Sequence, residues 1–189
     1  MIELKMYKDD LEKMVLLLKA HKVLALPTES VYGLSTILEA DAVAKIVTLK
    51  KRSANKGFIV LSSNIEHLLR VIDVTDLTDE HLAKLQKTYD RATTWVVPVK
   101  PEFRWLTGPF ESIAVRLSMH PLLSELTNML DQAIVSTSAN VSNMPAATSA
   151  GEVYNYFDDK VDYIYPQDDF VATKPSKLID LITGEILRE

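Results

Sequence analysis

A run of cationic and hydrogen-bonding side chains stands directly before an apolar segment in LKKRSANKGFIVL, residues 49–61. It contains Lys50, Arg52, Asn55 and Lys56, although the whole chain carries a formal net charge of −5. Arginine presents a planar donor fork to phosphate or carboxylate, and lysine presents a compact charge, so the mixture suits a polyphosphate. A solvated helix end is the alternative interpretation, because basic residues are also favoured there.

Three further polar clusters adjoin apolar, strand-like segments. They are PTESVYG (27–33), VRLSMHP (115–121) and STSAN (136–140). Because open α/β sheets bind ligands at the ends of their strands, we expect all four clusters to meet in one pocket. The chain contains neither G-x-x-x-x-G-K-[ST] nor G-x-G-x-x-G, so a nucleotide would be held by side-chain cations and loop amides.

Individual residues of these clusters allow two interpretations each. Arg116 lies inside an apolar strand and needs a partner if it is buried, which is either an internal carboxylate or a substrate anion. The hydroxyls and amide of STSAN suit phosphate or ribose, or a Ser/Thr turn. Thr28 and Ser30 suit the polar groups of an amino acid, Tyr32 suits a pocket floor or the core, and Gly33 suits a conformational hinge.

Composition limits the class of protein. A chain of 189 residues with 47% hydrophobic and 25% charged residues is typical of one globular domain, here residues 1–189. The absence of cysteine excludes disulfides, thiolate zinc sites and a cysteine nucleophile, and the histidines share no metal-ligand spacing, so we expect no resident metal. A charged N-terminus and short apolar runs predict a cytoplasmic protein. The sequence pI of about 5.4 argues against a uniformly basic nucleic-acid-binding surface, but it leaves room for a local basic cleft.

Hydrophobic periodicity predicts an alternation of helices and strands. Helices are expected over 8–21, 40–52, 65–72, 77–89, 120–130 and 151–157, with Thr78 as an N-cap. Strands are expected over 23–27, 58–62, 93–99, 112–118, within 132–140 and over 161–166, with a terminal hairpin over 176–189 turning at Thr183 and Gly184. Helices mixed with hairpin connections indicate an α/β fold with a mixed sheet.

With these clusters in view, the chain resembles the YrdC/TsaC family of threonylcarbamoyl-AMP synthases, in its single-domain bacterial form. The resemblance rests on ordered motifs that span most of the chain. They are PTESVYGL (27–34), the K-x-R-x-x-N-K pattern of Lys50, Arg52, Asn55 and Lys56, SIAVRLSMHP (112–121), STSAN (136–140), PSKLID (175–180) and the final Leu187-Arg188 pair. RWLTG (104–108) also resembles the bacterial short form.

The resemblance implies a fold, a reaction and a set of partners. The fold is a twisted mixed α/β sheet with a concave basic cleft. The reaction joins L-threonine, bicarbonate or CO2, and ATP with Mg²⁺ into threonylcarbamoyl-adenylate and pyrophosphate. The product supplies the tRNA threonylcarbamoyl transferase complex of TsaD, TsaB and TsaE, and the cleft is implied to bind tRNA or other RNA. A YrdC-like RNA-binding module without synthase activity is the alternative.

The resemblance also implies residue roles. It assigns Lys50, Arg52 and Lys56 to catalysis at the triphosphate. It assigns Thr28, Tyr32, Arg116 and Ser176 to L-threonine, and Arg52, Asn55, Ser112, Ser138, Asn140 and Arg188 to the nucleotide. One segment departs from the family pattern: W-P-G-P-[VL]-T is replaced by Tyr89–Thr94, YDRATT, of which only the last threonine agrees. We expect a repacked turn there.

Overall fold

A computed structural model describes residues 2–51, 57–166 and 175–189. Its helices are α1 (Ile2–Lys19), α2 (Ala40–Lys50), α3 (Ile65–Leu69), α4 (Asp79–Gln86), α5 (Pro121–Leu130) and α6 (Ala150–Phe157). Its strands are β1 (Leu24–Leu26), β2 (Gly33–Thr36), β3 (Ile59–Ser62), β4 (Thr93–Pro98), β5 (Ser112–Leu117), β6 (Ile134–Ser138), β7 (Tyr163–Ile164), β8 (Lys177–Asp180) and β9 (Ile186–Arg188). None of the helices described is both long and apolar enough to cross a membrane.

The strands form one sheet, with the order β7-β1-β2-β6-β3-β5-β4-β8-β9 across the described ranges. The sheet contains parallel pairs, such as β3 with β5 and β4 with β8, and antiparallel pairs, such as β2 with β6 and β4 with β5. The predicted α/β class with a mixed sheet is therefore confirmed.

Local signals fixed several element ends. Thr78 caps α4 in a capping box: its hydroxyl accepts from the amide of His81, and the His81 side chain accepts from the amide of Thr78. Lys51 ends α2 with a left-handed φ of 47°. Gly184 adopts a φ of 74° between β8 and β9, which confirms the predicted hairpin.

Other element boundaries differ from the prediction. The helix predicted over 65–72 ends at Leu69, and Ile72 instead forms a bridge to Val99. The strand predicted over 161–166 contains only Tyr163–Ile164, and α1 begins earlier than residue 8. A 3-10 helix over Pro101–Leu106, with proline at its first position, was not predicted. At Ile72 the contact with Val99 outweighs the local apolar spacing.

Side chains of successive strand residues enter cores on opposite faces of the sheet. Leu24 and Leu26 pack in one cluster with side chains of α1 and α5, such as Met14 and Leu123, whereas Ala25 packs in the other cluster. Since strand side chains alternate with a period of two, the sheet has a buried core on each side. Further along the face that α1 and α5 cover, alternate strand positions carry polar side chains, and this is where the predicted site lies.

Candidate functional site

A cavity of about 380 Å³ lies over this face, and eight of the predicted site residues line it. They are Thr28, Tyr32, Lys50, Arg116, Ser138, Asn140, Ser176 and Arg188. Residues from all four polar clusters are therefore brought together, which confirms the prediction of one shared pocket. Ser112 begins β5 opposite Pro98 and is not among the lining residues. Arg52, Asn55 and Lys56 lie outside the described residues.

The charge of this lining is one-sided. Within the described part of the chain it contains Lys50, Arg116 and Arg188 but no aspartate or glutamate. Hydroxyl and amide groups from Thr28, Ser138 and other small side chains make up most of the remaining polar surface. A cavity lined in this way is suited to an anionic ligand with several hydrogen-bonding groups.

Pairing of β2 with β6 places the STSAN segment beside the PTESVYG loop. Gly33 is opposite Ser138, and the amide of Ala139 donates to the carbonyl of Tyr32 at 2.8 Å. The expected hinge role of Gly33 is wrong, because its φ is not positive and it opens a regular strand. Its small size matters instead: a Cβ there would lie 2.4 Å from Ser136 Oγ.

Thr28 and Tyr32 shape the same loop from within. Thr28 Oγ1 donates to the carbonyl of Val31 at 2.8 Å and accepts from the amide of Ser30 at 3.2 Å. Tyr32 is fully buried and its hydroxyl donates to the carbonyl of Tyr165 at 3.0 Å. Tyr32 therefore fits both of its interpretations, since it belongs to the core and also lines the cavity floor.

Lys50 is 3% exposed and holds the STSAN segment. Its Nζ donates to the carbonyls of Ser138 and Asn140 and to Oδ1 of Asn140, the last at 2.8 Å. The carbonyl of Lys50 in turn accepts from the amide and hydroxyl of Ser142 at 3.1 and 3.0 Å. The end of α2 and the loop after β6 are thus joined through one residue.

Arg116 has the internal carboxylate partner that one of its interpretations requires, and the contact with a substrate anion stays a prediction. Its side chain is 5% exposed, and Nη2 lies 3.6 Å from Oε2 of Glu29, so an internal ion pair is present. Arg116 nevertheless lines the cavity, and its Nε has no hydrogen-bond partner among the described residues. Burial lowers the pKa of Arg116, and the charge of Glu29 acts in the opposite direction.

Glu29 was not among the predicted site residues, although it stands within PTESVYG. Its Oε1 accepts from Ser118 Oγ at 2.5 Å and from the amides of Met119 and His120 at 2.7 and 3.2 Å. Burial acts to raise the pKa of Glu29, but the charge of Arg116 and these hydrogen bonds hold that pKa below its usual value. Glu29 therefore fixes both Arg116 and the turn that leads into α5.

Ser176 and Arg188 come from the terminal hairpin. Arg188 donates through Nε and Nη2 to the carbonyl of Ser176 at 3.1 and 2.9 Å, and the Ser176 hydroxyl lies 2.8 Å from Thr94 Oγ1. Burial, followed by the charges of Arg116 and Arg91, lowers the pKa of Arg188. Thr94 therefore supports the site through Ser176, a role that the sequence did not predict. It is the one threonine of its segment that agrees with the family pattern.

The segment Tyr89–Thr94, which departs from the family pattern, borders a second cavity of about 710 Å³. Arg116 lines both cavities, and Glu29 lines the second. Arg91 in this segment donates to the carbonyl of Pro175 at 3.1 Å and lies 3.5 Å from a carboxylate oxygen of Glu189. Tyr89 packs edge-on against Trp95, with ring centroids 5.8 Å apart. The replaced turn is thus packed against the C-terminal hairpin.

No group of three or more potential metal ligands (His, Cys, Asp or Glu) occurs in the described residues. Because the described lining of the first cavity offers no carboxylate, a Mg²⁺ ion there would be held by substrate phosphates, water and hydroxyl groups. The chemistry of the described lining is therefore compatible with a metal that arrives bound to a nucleotide.

Comparison with known proteins identifies relatives of this chain. A threonylcarbamoyl-AMP synthase of Actinobacillus succinogenes is 40% identical over 179 residues, which cover 91% of this chain and 94% of the relative. One of Vibrio parahaemolyticus is 36% identical over 183 residues, covering 96% and 99%.

Solved structures show the same fold. The structure of P. abyssi Sua5 complexed with L-threonine aligns with a TM-score of 0.84 at 28% identity, covering 91% of this chain. This chain spans about half of that protein, 51% of its length. E. coli YciO aligns with a TM-score of 0.80 at 20% identity, covering 95% of this chain and 88% of that one.

A family model confirms the relationship. The Sua5/YciO/YrdC model, described as "Telomere recombination", matches residues 16–189. This range contains all the motifs on which the resemblance was based. The chain therefore belongs to the Sua5/YciO/YrdC family.

Proposed function

We propose that this protein is a threonylcarbamoyl-AMP synthase, which converts L-threonine, bicarbonate or CO2, and ATP into threonylcarbamoyl-adenylate and pyrophosphate. The observation that carries the proposal is the lining of the first cavity, with three cations, no carboxylate in the described residues and many hydroxyl groups. Relatives that are 33–40% identical over nearly the whole chain are named for this activity. The match to a Sua5 complexed with L-threonine supports the amino-acid substrate.

The chemistry requires neutralisation of charge more than a protein nucleophile. The free amine of threonine condenses with bicarbonate to give a carbamate and water. A carbamate oxygen then attacks the α-phosphorus of ATP, and the bond to the β-phosphate oxygen breaks to release pyrophosphate. Because an anion attacks an anion, the catalyst must align the two groups and stabilise the growing charge.

We assign Arg52 and Lys56 to the triphosphate and the departing pyrophosphate. Arg116 binds the carboxylate or carbamate end of threonine, with Thr28, Tyr32 and Ser176 around it. The nucleotide contacts Ser138, Asn140 and Arg188, with Asn55 and Ser112 assigned by resemblance. Mg²⁺ arrives with ATP and neutralises phosphate charge when bound.

The product of this reaction must be the substrate of another enzyme. A threonylcarbamoyl-adenylate is a reactive mixed anhydride, so a transferase that carries the group to tRNA must follow, and we propose the TsaD, TsaB and TsaE complex in this place. Direct contact of this protein with tRNA and a cytoplasmic location belong to the same proposal.

The test is pyrophosphate release from ATP and bicarbonate, with and without L-threonine. We expect threonine-dependent release in the wild type and a loss of about a hundredfold in Arg52→Ala, the size seen when one donor to a developing charge is removed. Lys51→Ala is the matched control, because Lys51 is an exposed neighbouring cation, and it should keep most of the activity.

A release rate that does not respond to threonine would refute the synthase assignment. Salt-sensitive binding of tRNA in that case would favour the RNA-binding module, since binding through phosphate contacts weakens steeply with salt. Equal losses in Arg52→Ala and Lys51→Ala would refute the placement of the triphosphate on Arg52.

A further inference from the structure

Lys50 differs from the other cations that line the first cavity in what surrounds its charge. An ammonium group has three N–H donors, and in the described part of the chain three acceptor oxygens lie within hydrogen-bond reach of Lys50 Nζ. These are the carbonyls of Ser138 and Asn140 and Oδ1 of Asn140. With only 3% of the residue exposed, donation from Nζ to a phosphate would require breaking one of these bonds.

The hydrogen bonds that Lys50 makes with Ser138, Asn140 and Ser142 converge on one short stretch of chain. Asn140, which Lys50 holds by both its carbonyl and its side chain, accepts from Ser138 Oγ at 2.7 Å and donates through Nδ2 to the carbonyl of Met144 at 2.5 Å. Ser142 is tied to the carbonyl of Lys50 by its amide and hydroxyl. Residues 138–144 start within the STSAN motif (136–140) and continue beyond it, and we call them the STSAN loop. This loop is therefore organised around the Lys50 side chain.

We propose that Lys50 is a positioning residue, which acts on the nucleotide through the STSAN loop and does not contact the phosphates. The loop presents Ser138 and Asn140 to the cavity. Their side chains bond to each other, and the Asn140 side chain also accepts from Lys50. A rigid loop loses little conformational freedom when a ligand binds, so preorganisation increases affinity. This inference rests on the proposed function for the identity of the ligand, but its effect on the loop is independent of any ligand.

The first arm of the test measures amide hydrogen exchange of the ligand-free protein. In Lys50→Met, which keeps the length of the side chain but removes its donors, exchange across 138–144 should become faster by about tenfold, the effect of losing a buried hydrogen bond. Exchange in β4 should be unchanged. Lys45→Met is the matched control, because Lys45 lies on the same helix and donates to the carbonyl of His21 at 2.8 Å, away from the loop.

The second arm measures dissociation constants by calorimetry for AMP and for pyrophosphate. We expect the Kd of AMP to rise about tenfold in Lys50→Met, while the Kd of pyrophosphate changes less than about twofold. Asn140→Ala should also speed up loop exchange. Combined with Lys50→Met, it should add little further loss of AMP affinity, because residues of one network are not additive.

The reverse pattern overturns the proposal. If the Kd of pyrophosphate rises while loop exchange and the Kd of AMP stay at wild-type values, Lys50 is a phosphate ligand. If Lys50→Met does not fold, as judged by thermal denaturation, unchanged loop exchange in Asn140→Ala would overturn it equally. A wild type without threonine-dependent turnover would refute the proposed function, yet faster loop exchange in Lys50→Met would still support the positioning role.

Discussion

The close approach of Gly33 to Ser136 allows a quantitative prediction about how the site is packed. A methyl group at residue 33 would lie 2.4 Å from Ser136 Oγ, while the next atoms, Thr137 O and Thr28 Cγ2, are at ordinary distances of 3.5 and 3.6 Å. Ser136 Oγ also accepts a hydrogen bond from Ser35 at 3.1 Å, and both residues are buried. Gly33→Ala therefore creates one severe overlap, with one atom.

The cost of this overlap follows from the two ways of relieving it. The strands can shift, which costs about 1–3 kcal/mol as in other overpacked cores. Alternatively, the Ser136 hydroxyl can turn away from Ser35, which gives up a buried hydrogen bond worth about 1 kcal/mol. In a Ser136→Ala background neither cost arises. In that background Gly33→Ala should be neutral or should stabilise the fold by up to about 1 kcal/mol, since glycine is unfavourable within a strand.

Urea denaturation of the wild type, Gly33→Ala, Ser136→Ala and the double variant measures the coupling directly. We expect the double variant to be no less stable than Ser136→Ala, which gives a coupling free energy of about 1–3 kcal/mol. Additive losses would refute the reasoning, because they would mean that the methyl group meets something other than Ser136 Oγ.

Two further predictions concern residues outside the substrate contacts. The pKa of Glu29 is held below its usual 4.5, so its ionised form stabilises the fold above that pH, and this stabilisation is lost as the pH falls through the lower folded-state value. Urea midpoints below pH 4.5 should therefore fall more steeply for the wild type than for Glu29→Gln, and parallel curves would contradict the Glu29–Arg116 pairing. Thr78→Ala removes the capping box of α4 and should lower the free energy of unfolding by about 0.5–2 kcal/mol. The exposed Thr88→Ala, as its control, should change it by less than about 0.5 kcal/mol, and equal effects would mean that the cap contributes nothing.

Much of the fold could be predicted because its signals are local. The apolar run of VLAL, ended by a proline, and the apolar residues of SIAVR identified strands. The Thr78 cap and the Gly184 turn identified element ends. The 3-10 helix at Pro101–Leu106 and the short extent of β7 were missed, because they depend on packing against the rest of the sheet.

For the site, the sequence by itself determined which residue types would meet. Polar clusters at strand ends, together with the ordered motifs, were enough to indicate both an anion-binding pocket and the family. Open α/β sheets bind ligands at the ends of their strands, so this inference needed no detailed geometry.

Only the tertiary structure decided which contacts each residue makes there. Sequence could not separate an ion pair from a ligand contact for Arg116, because its partner Glu29 lies 87 positions earlier and reaches it only through the fold. It also could not show that Lys50 is turned toward the carbonyls of a loop some 90 residues later. A hydrogen bond between segments remote in sequence requires a donor–acceptor distance that is correct to within a few tenths of an ångström, and the packing of the folded chain sets that distance.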